Sequence, residues 1–205
     1  FYDSNDGYFH AKINNKNLKG INYRFEKNTH TGTETLILAG VLAQGQTVLE
    51  NAAEEPEVDE LINLLNEMGA KIKRTAPRKI TIDGVHKLQG TKFTIGPDRN
   101  EIVTFAIAGI LTSGNVFIKG AKKEDLVEFL DKLLLAGAGF EIKEDGIRFY
   151  AKNSLQPTDI VTSFYPGFMT DWQGPWAVLM TQAHGLSTIH EAVYENRFFY
   201  ITQLL

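Results

Sequence analysis

The chain has 205 residues, 43% hydrophobic and 22% charged, with a formal net charge of −4 and no cysteine. This is an ordinary globular balance, long enough for one domain or two small ones. It excludes disulfides, zinc–thiolate sites and a cysteine nucleophile within these residues, and it supplies no strong field to attract nucleic acid or an anionic membrane surface. No stretch approaches the ~20 apolar residues of a membrane span, and residues 1–7 have neither the basic nor the apolar region of a signal peptide.

In chain order, residues 7–13 read as a strand, 14–17 as a turn and 20–25 as a second strand. Three segments then share one plan. Each opens with an apolar helix-like stretch (35–43, 103–111 and 176–183), stops at Gly45, Gly114 or Gly185, and continues into a β-rich run (47–49, 116–118 and 187–189). Glycine is expected at such stops because it accepts positive φ without a Cβ penalty. The first two copies add an amphipathic helix. Val58, Leu61, Ile62, Leu65 and Met68 share one helical face, as do Leu126, Phe129, Leu130, Leu133 and Leu134. Pro56 falls near the first turn, where a missing N–H costs little, and Gly69 and Gly137 end the two helices. A strand follows each (70–73 and 140–143), and short β-like pieces, 79–82 and 147–150, lie between copies.

Copies start about 70 residues apart, and such a unit cannot bury both helical faces alone, so the copies are expected to pack around shared helices. The boundary between the first two falls at Gly96-Pro97-Asp98. The phase of the repeat predicts that the chain starts inside one copy and stops before the third is complete.

Five segments carry a family resemblance: Asn28-Thr29-His30-Thr31-Gly32-Thr33-Glu34, Glu50-Asn51-Ala52-Ala53-Glu54-Glu55-Pro56-Glu57-Val58, Gly96-Pro97-Asp98-Arg99, Tyr165-Pro166-Gly167-Phe168-Met169-Thr170-Asp171-Trp172-Gln173 and Glu191-Ala192-Val193-Tyr194-Glu195-Asn196-Arg197-Phe198. In order and spacing the set resembles the UDP-N-acetylglucosamine enolpyruvyl transferases, over nearly the whole chain and about half of the family length. The resemblance implies an α/β (α+β) fold of repeated helix–strand units, an inside-out α/β barrel, in parts of two domains. Residues 1–97 would be the C-terminal part of one domain and 98–205 a partial second. It implies transfer of the enolpyruvyl group of phosphoenolpyruvate to the 3-hydroxyl of UDP-N-acetylglucosamine, in the cytoplasm, as the committed step of peptidoglycan synthesis. No metal or organic cofactor, nucleic acid or membrane is implied, and the remainder of the family chain is the implied partner. The family's flexible loop bearing a general-acid cysteine, its early Lys-Asn pair and further arginines have no counterpart here, so these residues alone are expected to be inactive.

By the same resemblance, Asp171 matches the catalytic aspartate, the base at the sugar hydroxyl. Arg197 matches an arginine of the closed site, whose planar fork of donors suits phosphate and carboxylate. Val193 matches a position whose main chain contacts the sugar nucleotide. Lys27, Asn28, Thr29 and His30 match the segment that holds the UDP part.

Each residue also has a plain structural reading. Asp171 suits a helix N-cap or first turn. Arg197 can form a surface ion pair with Glu195, and Val193 reads as a strand or core residue. Thr31 and Glu34 have capping-box spacing. Asp98 and Arg99 can pair with each other, or Arg99 and Glu101 can serve an interface. Trp172 and Trp176, four apart, read as helix core, and His10, His86, His184 and His190 as structural. Competing functions are the sister transfer onto shikimate 3-phosphate, a non-catalytic nucleotide-sugar binding protein, and a plain α/β repeat scaffold.

Overall fold

A computed structural model describes residues 2–3, 5–10 and 18–204. The chain divides into two compact units, residues 1–94 and 95–205. In the first unit, β1 (Tyr2–Asp3) pairs antiparallel with β2 (Tyr8–Phe9). Most of the strand and turn expected over 7–17 lies outside the described residues. Next come β3 (Asn22–Arg24), α1 (His30–Val41), β4 (Gln46–Glu50), α2 (Pro56–Glu67), β5 (Lys71–Ala76) and β6 (Lys79–Asp83). The second unit holds α3 (Arg99–Leu111), β7 (Asn115–Lys119), α4 (Val127–Leu135), β8 (Gly139–Lys143), β9 (Gly146–Tyr150), β10 (Ile160–Val161), α5 (Gln173–Met180) and β11 (Ile189–His190). A 3₁₀ turn, Thr170–Trp172, leads into α5, and another, Phe199–Gln203, follows β11.

The expected α/β repeat is present. The helix–strand–helix–strand series α1-β4-α2-β5 recurs as α3-β7-α4-β8, and each series closes with one more strand, β6 or β9. The sheets are ordered β3-β4-β6-β5 and β7-β9-β8. The short pieces between copies are therefore not connectors. β6 pairs antiparallel with both β4 and β5, and β9 does the same with β7 and β8. A two-residue link, Pro77-Arg78 or Glu144-Asp145, folds each piece back on the strand before it. Gly146 permits the close approach of β7 and β9, since a Cβ there would lie 2.2 Å from the Ile118 carbonyl oxygen.

The ends of α2 and α4 repeat atom for atom. Gly69 at φ 99° and Gly137 at φ 83° take the left-handed position. Gly69 N–H donates to the Asn66 carbonyl at 3.0 Å and Ala70 N–H to Leu65 at 2.9 Å. Gly137 N–H donates to Leu134 at 3.0 Å and Ala138 N–H to Leu133 at 3.2 Å. This pairing satisfies the last orphan carbonyls of a helix. At the end of α3 the left-handed residue is Ser113, φ 54°, one place before the expected Gly114.

The first core joins Ile37 and Val41 of α1 and Val58, Ile62 and Leu65 of α2 to Leu49, Ile72, Ile80 and Ile82 of the sheet. Each fully buried side chain of this size contributes about 1.5–3 kcal/mol. The second core is aromatic. Phe129, Phe168, Trp172 and Trp176 meet edge to face with ring centroids 5.5–6.3 Å apart, an arrangement worth ~0.5–1.5 kcal/mol per pair beyond burial. Both tryptophans are core, as their spacing predicts, Trp176 within α5 and Trp172 in the 3₁₀ turn that leads into it. Arg99 is buried at the start of α3, its guanidinium 5.1 Å from the Tyr165 ring centroid and 5.8 Å from that of Trp172. Its neighbour Asp98 caps the helix, accepting from Asn100 N–H at 2.7 Å. No helix among the described residues is long and apolar enough to cross a membrane.

Candidate active site

β10 and β11 run parallel, with α5 as the crossover between them. A parallel strand–helix–strand unit brings the loops leaving both strands to one edge, where open α/β sheets bind ligands. Residues 162–169 leave β10 and enter the 3₁₀ turn that carries Asp171. Residues 191–198 leave β11 and carry Val193 and Arg197.

Glu191 ties the two loops together. Its Oε1 accepts from the Thr162 hydroxyl at 2.8 Å and from the N–H groups of Val193 at 2.8 Å and Tyr194 at 2.9 Å. Its Oε2 accepts from the Thr170 hydroxyl at 2.7 Å and Gln173 Nε2 at 3.1 Å. Thr162 Oγ1 also accepts from Ala192 N–H at 2.9 Å, and the buried Gln173 accepts at Oε1 from the Tyr200 hydroxyl at 2.5 Å. Burial alone would raise the Glu191 pKa. The hydrogen bonds from Thr170, Tyr194, Thr162 and Val193 outweigh it and hold the carboxyl below its ordinary value. Burial, and then the Glu191 charge, push the Tyr200 phenol up, so it stays protonated and donates.

Arg197 lies at the outer edge of this network. One guanidinium nitrogen donates to Asp171 Oδ1 and the other to Thr170 Oγ1 at 3.2 Å, with the group 5.4 Å from the Tyr194 ring centroid. The ion pair with Glu195 that the sequence left open is replaced by one with Asp171, 26 residues away. The cause is local. Asn196 takes φ 57°, a left-handed turn that asparagine tolerates, at the residue that hands the chain on to Arg197. Asp171 and Arg197 both keep substantial solvent exposure. Asp171 belongs to the first turn, and the N-cap of that turn is Met169. Val193 N–H is held by Glu191. Neither periodicity nor motif spacing singled out Glu191, Thr170 or Gln173.

The first unit contains a second parallel strand–helix–strand, β3-α1-β4. The loop after β3 carries Lys27, Asn28 and Thr29, and His30 opens α1. Asn28 Nδ2 donates to the Asn51 carbonyl at 3.3 Å, and Asn51 Nδ2 to the Phe25 carbonyl at 3.0 Å. Asn51 and Glu191 thus occupy matching places just past β4 and β11, each tying two loops. Thr29 is the N-cap: its Oγ1 accepts from Gly32 N–H at 3.2 Å and its carbonyl from the Thr33 hydroxyl at 2.7 Å. The expected capping by Thr31 is therefore corrected; helix α1 starts at His30, so Thr31 lies inside it. A Cβ on residue 32 would meet Thr29 Cγ2 at 2.5 Å, so this cap needs Gly32. His30 Nε2 lies 3.4 Å from Glu34 Oε1 but is too poorly aligned for a hydrogen bond. Lys27 is exposed.

Chemically, the site in the second unit offers a carboxylate able to take a proton beside a guanidinium able to grip an anion. A family model for EPSP synthase (3-phosphoshikimate 1-carboxyvinyltransferase) matches residues 1–205, and the chain belongs to that family. It is 46% identical over 202 residues to the UDP-N-acetylglucosamine 1-carboxyvinyltransferase of Bartonella henselae, covering 97% of this chain and 47% of that one. It is 42% identical over 186 residues to UDP-N-acetylglucosamine 1-carboxyvinyltransferase 1 of Staphylococcus aureus, covering 91% and 44%. The chain thus spans about half the length of the curated relatives it matches. The crystal structure of the enolpyruvyl transferase NikO from Streptomyces tendae superposes with a TM-score of 0.76 at 26% identity, covering 85% of this chain and 42% of that one. EPSP synthase from Acinetobacter baumannii, with a TM-score of 0.54 at 21% identity, shares the fold.

Proposed function

We propose that the whole protein carrying these residues transfers the enolpyruvyl group of phosphoenolpyruvate to the 3-hydroxyl of UDP-N-acetylglucosamine in the cytoplasm, the committed step of peptidoglycan synthesis. Residues 1–97 and 98–205 are then parts of its two domains. The observation that carries this reading is the pairing of Asp171 with Arg197 where the loops after β10 and β11 meet, in a chain so similar to relatives named for this reaction. Asp171 takes the proton of the sugar hydroxyl as its oxygen attacks the substituted vinyl carbon of phosphoenolpyruvate. A general acid outside these residues protonates the methylene carbon. Loss of a proton there and departure of phosphate then restore the double bond. Arg197 moves its donor fork from Asp171 to the anionic substrate, which frees the carboxylate as the base is needed. Lys27, Asn28, Thr29 and His30, at the head of α1, take the diphosphate of the nucleotide, and the main chain at Val193 contacts the sugar nucleotide.

In the full-length protein Asp171→Asn is expected to lower kcat about 10²- to 10⁴-fold, the range for loss of a general base, while titration calorimetry with UDP-N-acetylglucosamine shows binding largely intact. Wild-type turnover in this variant rules out Asp171 as the base. Binding of shikimate 3-phosphate in place of the sugar nucleotide assigns the sister reaction instead.

A further inference from the structure

Beside the Asp171–Arg197 pair stands Glu191, whose hydrogen bonds go to neither member but to Thr170 and Gln173 on either side of Asp171. We propose that Glu191 is the positioning residue of this site, a carboxylate that fixes the first turn of α5 and the loop after β11 in a single register. The inference rests on reading the site as one for enolpyruvyl transfer.

The five hydrogen bonds to Glu191 come from three separate stretches of chain: Thr162 after β10, Thr170 and Gln173 at the head of α5, and Val193 and Tyr194 in its own loop. Four of the five donors are fixed by backbone or by burial. Thr162 and Gln173 are each 1% exposed, and the other two are main-chain N–H groups. The fifth, the Thr170 hydroxyl, is the link to the chemistry. It donates to Glu191 Oε2 and so turns its lone pairs toward Arg197, whose second nitrogen donates to it at 3.2 Å. Asp171 is the next residue along. Arg197 is gripped on its other side through its own carbonyl, 3.5 Å from Gln173 Nε2. Removing the charge at residue 191 therefore disturbs the orientation of Thr170 and Gln173 together.

Polarity makes the idea testable. In Glu191→Gln an amide NH₂ replaces Oε2, and it faces the Gln173 NH₂ donor to donor. Oε1 still serves Thr162, Val193 and Tyr194, so the loop itself stays tied. Adding Gln173→Glu removes that clash, since a carboxylate at 173 accepts from the new amide and from Tyr200 at unchanged net charge. It gives up the Gln173 bond to the Arg197 carbonyl and leaves the Thr170 hydroxyl facing an amide NH₂.

In the full-length protein, steady-state kinetics of Glu191→Gln should show kcat about 10- to 100-fold down, the scale set by ångström misplacement of reacting groups, with KM for UDP-N-acetylglucosamine nearly unchanged and the protein still folded at the assay temperature. Glu191→Gln/Gln173→Glu should regain part of the lost kcat. Should Glu191→Gln fail to fold, Thr170→Val, which deletes only the linking hydroxyl, should lower kcat in a stable protein. Wild-type kcat in Glu191→Gln, or in Thr170→Val, overturns the inference while leaving the reaction assignment standing. So does a loss that follows melting temperature without rescue by Gln173→Glu. An inert wild-type protein overturns the reaction assignment, and this inference with it.

Discussion

Glu191, just past β11, carries a carboxylate that neither faces solvent like a surface acid nor is buried like a core one. Its stability contribution follows from sign. The folded-state pKa is depressed, because hydrogen bonds to the ionised form outweigh the penalty of burial. The contribution is complete above the unfolded-state value, about 4.3 for glutamate, and is lost as pH falls through the lower folded value. The fluorescence of Trp172 and Trp176, both in the core beneath the site, reports unfolding of this unit. Between neutral pH and about pH 3, a span that brackets the glutamate range, the urea midpoint of wild type should fall more steeply than that of Glu191→Gln. Parallel slopes would mean that the network gives the ionised carboxylate no preference.

The elements that frame the sites depend on a few local devices. Helix α1 has no acidic residue in its first turn, so its start is set by the Thr29 cap rather than by charge. Thr29→Ala removes the side-chain acceptor for Gly32 N–H and should cost about 1 kcal/mol by chemical denaturation, the usual worth of a Thr cap. An unchanged stability would show that the water-exposed amide needs no cap. The helices and their stops were legible in the sequence because an apolar period and a following glycine are local signals, and Gly69 and Gly137 act as that reading predicts. The N-cap was misplaced because Thr29 and Thr31 both offer a hydroxyl to a helix start, and only the path of the chain leaving β3 chooses between them. The central places of β6 and β9 were not legible either, since strand order is set by pairing across the sheet. Asp171 and Arg197 were named through their motifs, and the structure pairs them. Glu191 opens the fifth motif segment, but the positioning role proposed for it was hidden because its partners lie up to 29 residues away, a relation no window of sequence displays.

At the scale of the molecule, each unit contains one parallel strand–helix–strand whose loops are tied by a polar side chain just past the second strand, Asn51 in the first and Glu191 in the second. The amide serves where main-chain carbonyls must be held. The carboxylate serves where hydroxyls, an amide and N–H groups converge. The proposed division of labour follows that chemistry, with the first loop set taking the nucleotide and the second holding base and guanidinium. A single assay bears on this account most directly: phosphate release from phosphoenolpyruvate by the full-length protein, with UDP-N-acetylglucosamine and, separately, with shikimate 3-phosphate. Release that requires both phosphoenolpyruvate and UDP-N-acetylglucosamine, and that collapses in Asp171→Asn, is the predicted result. Release that proceeds with shikimate 3-phosphate alone as acceptor, or that is untouched by Asp171→Asn, would contradict it.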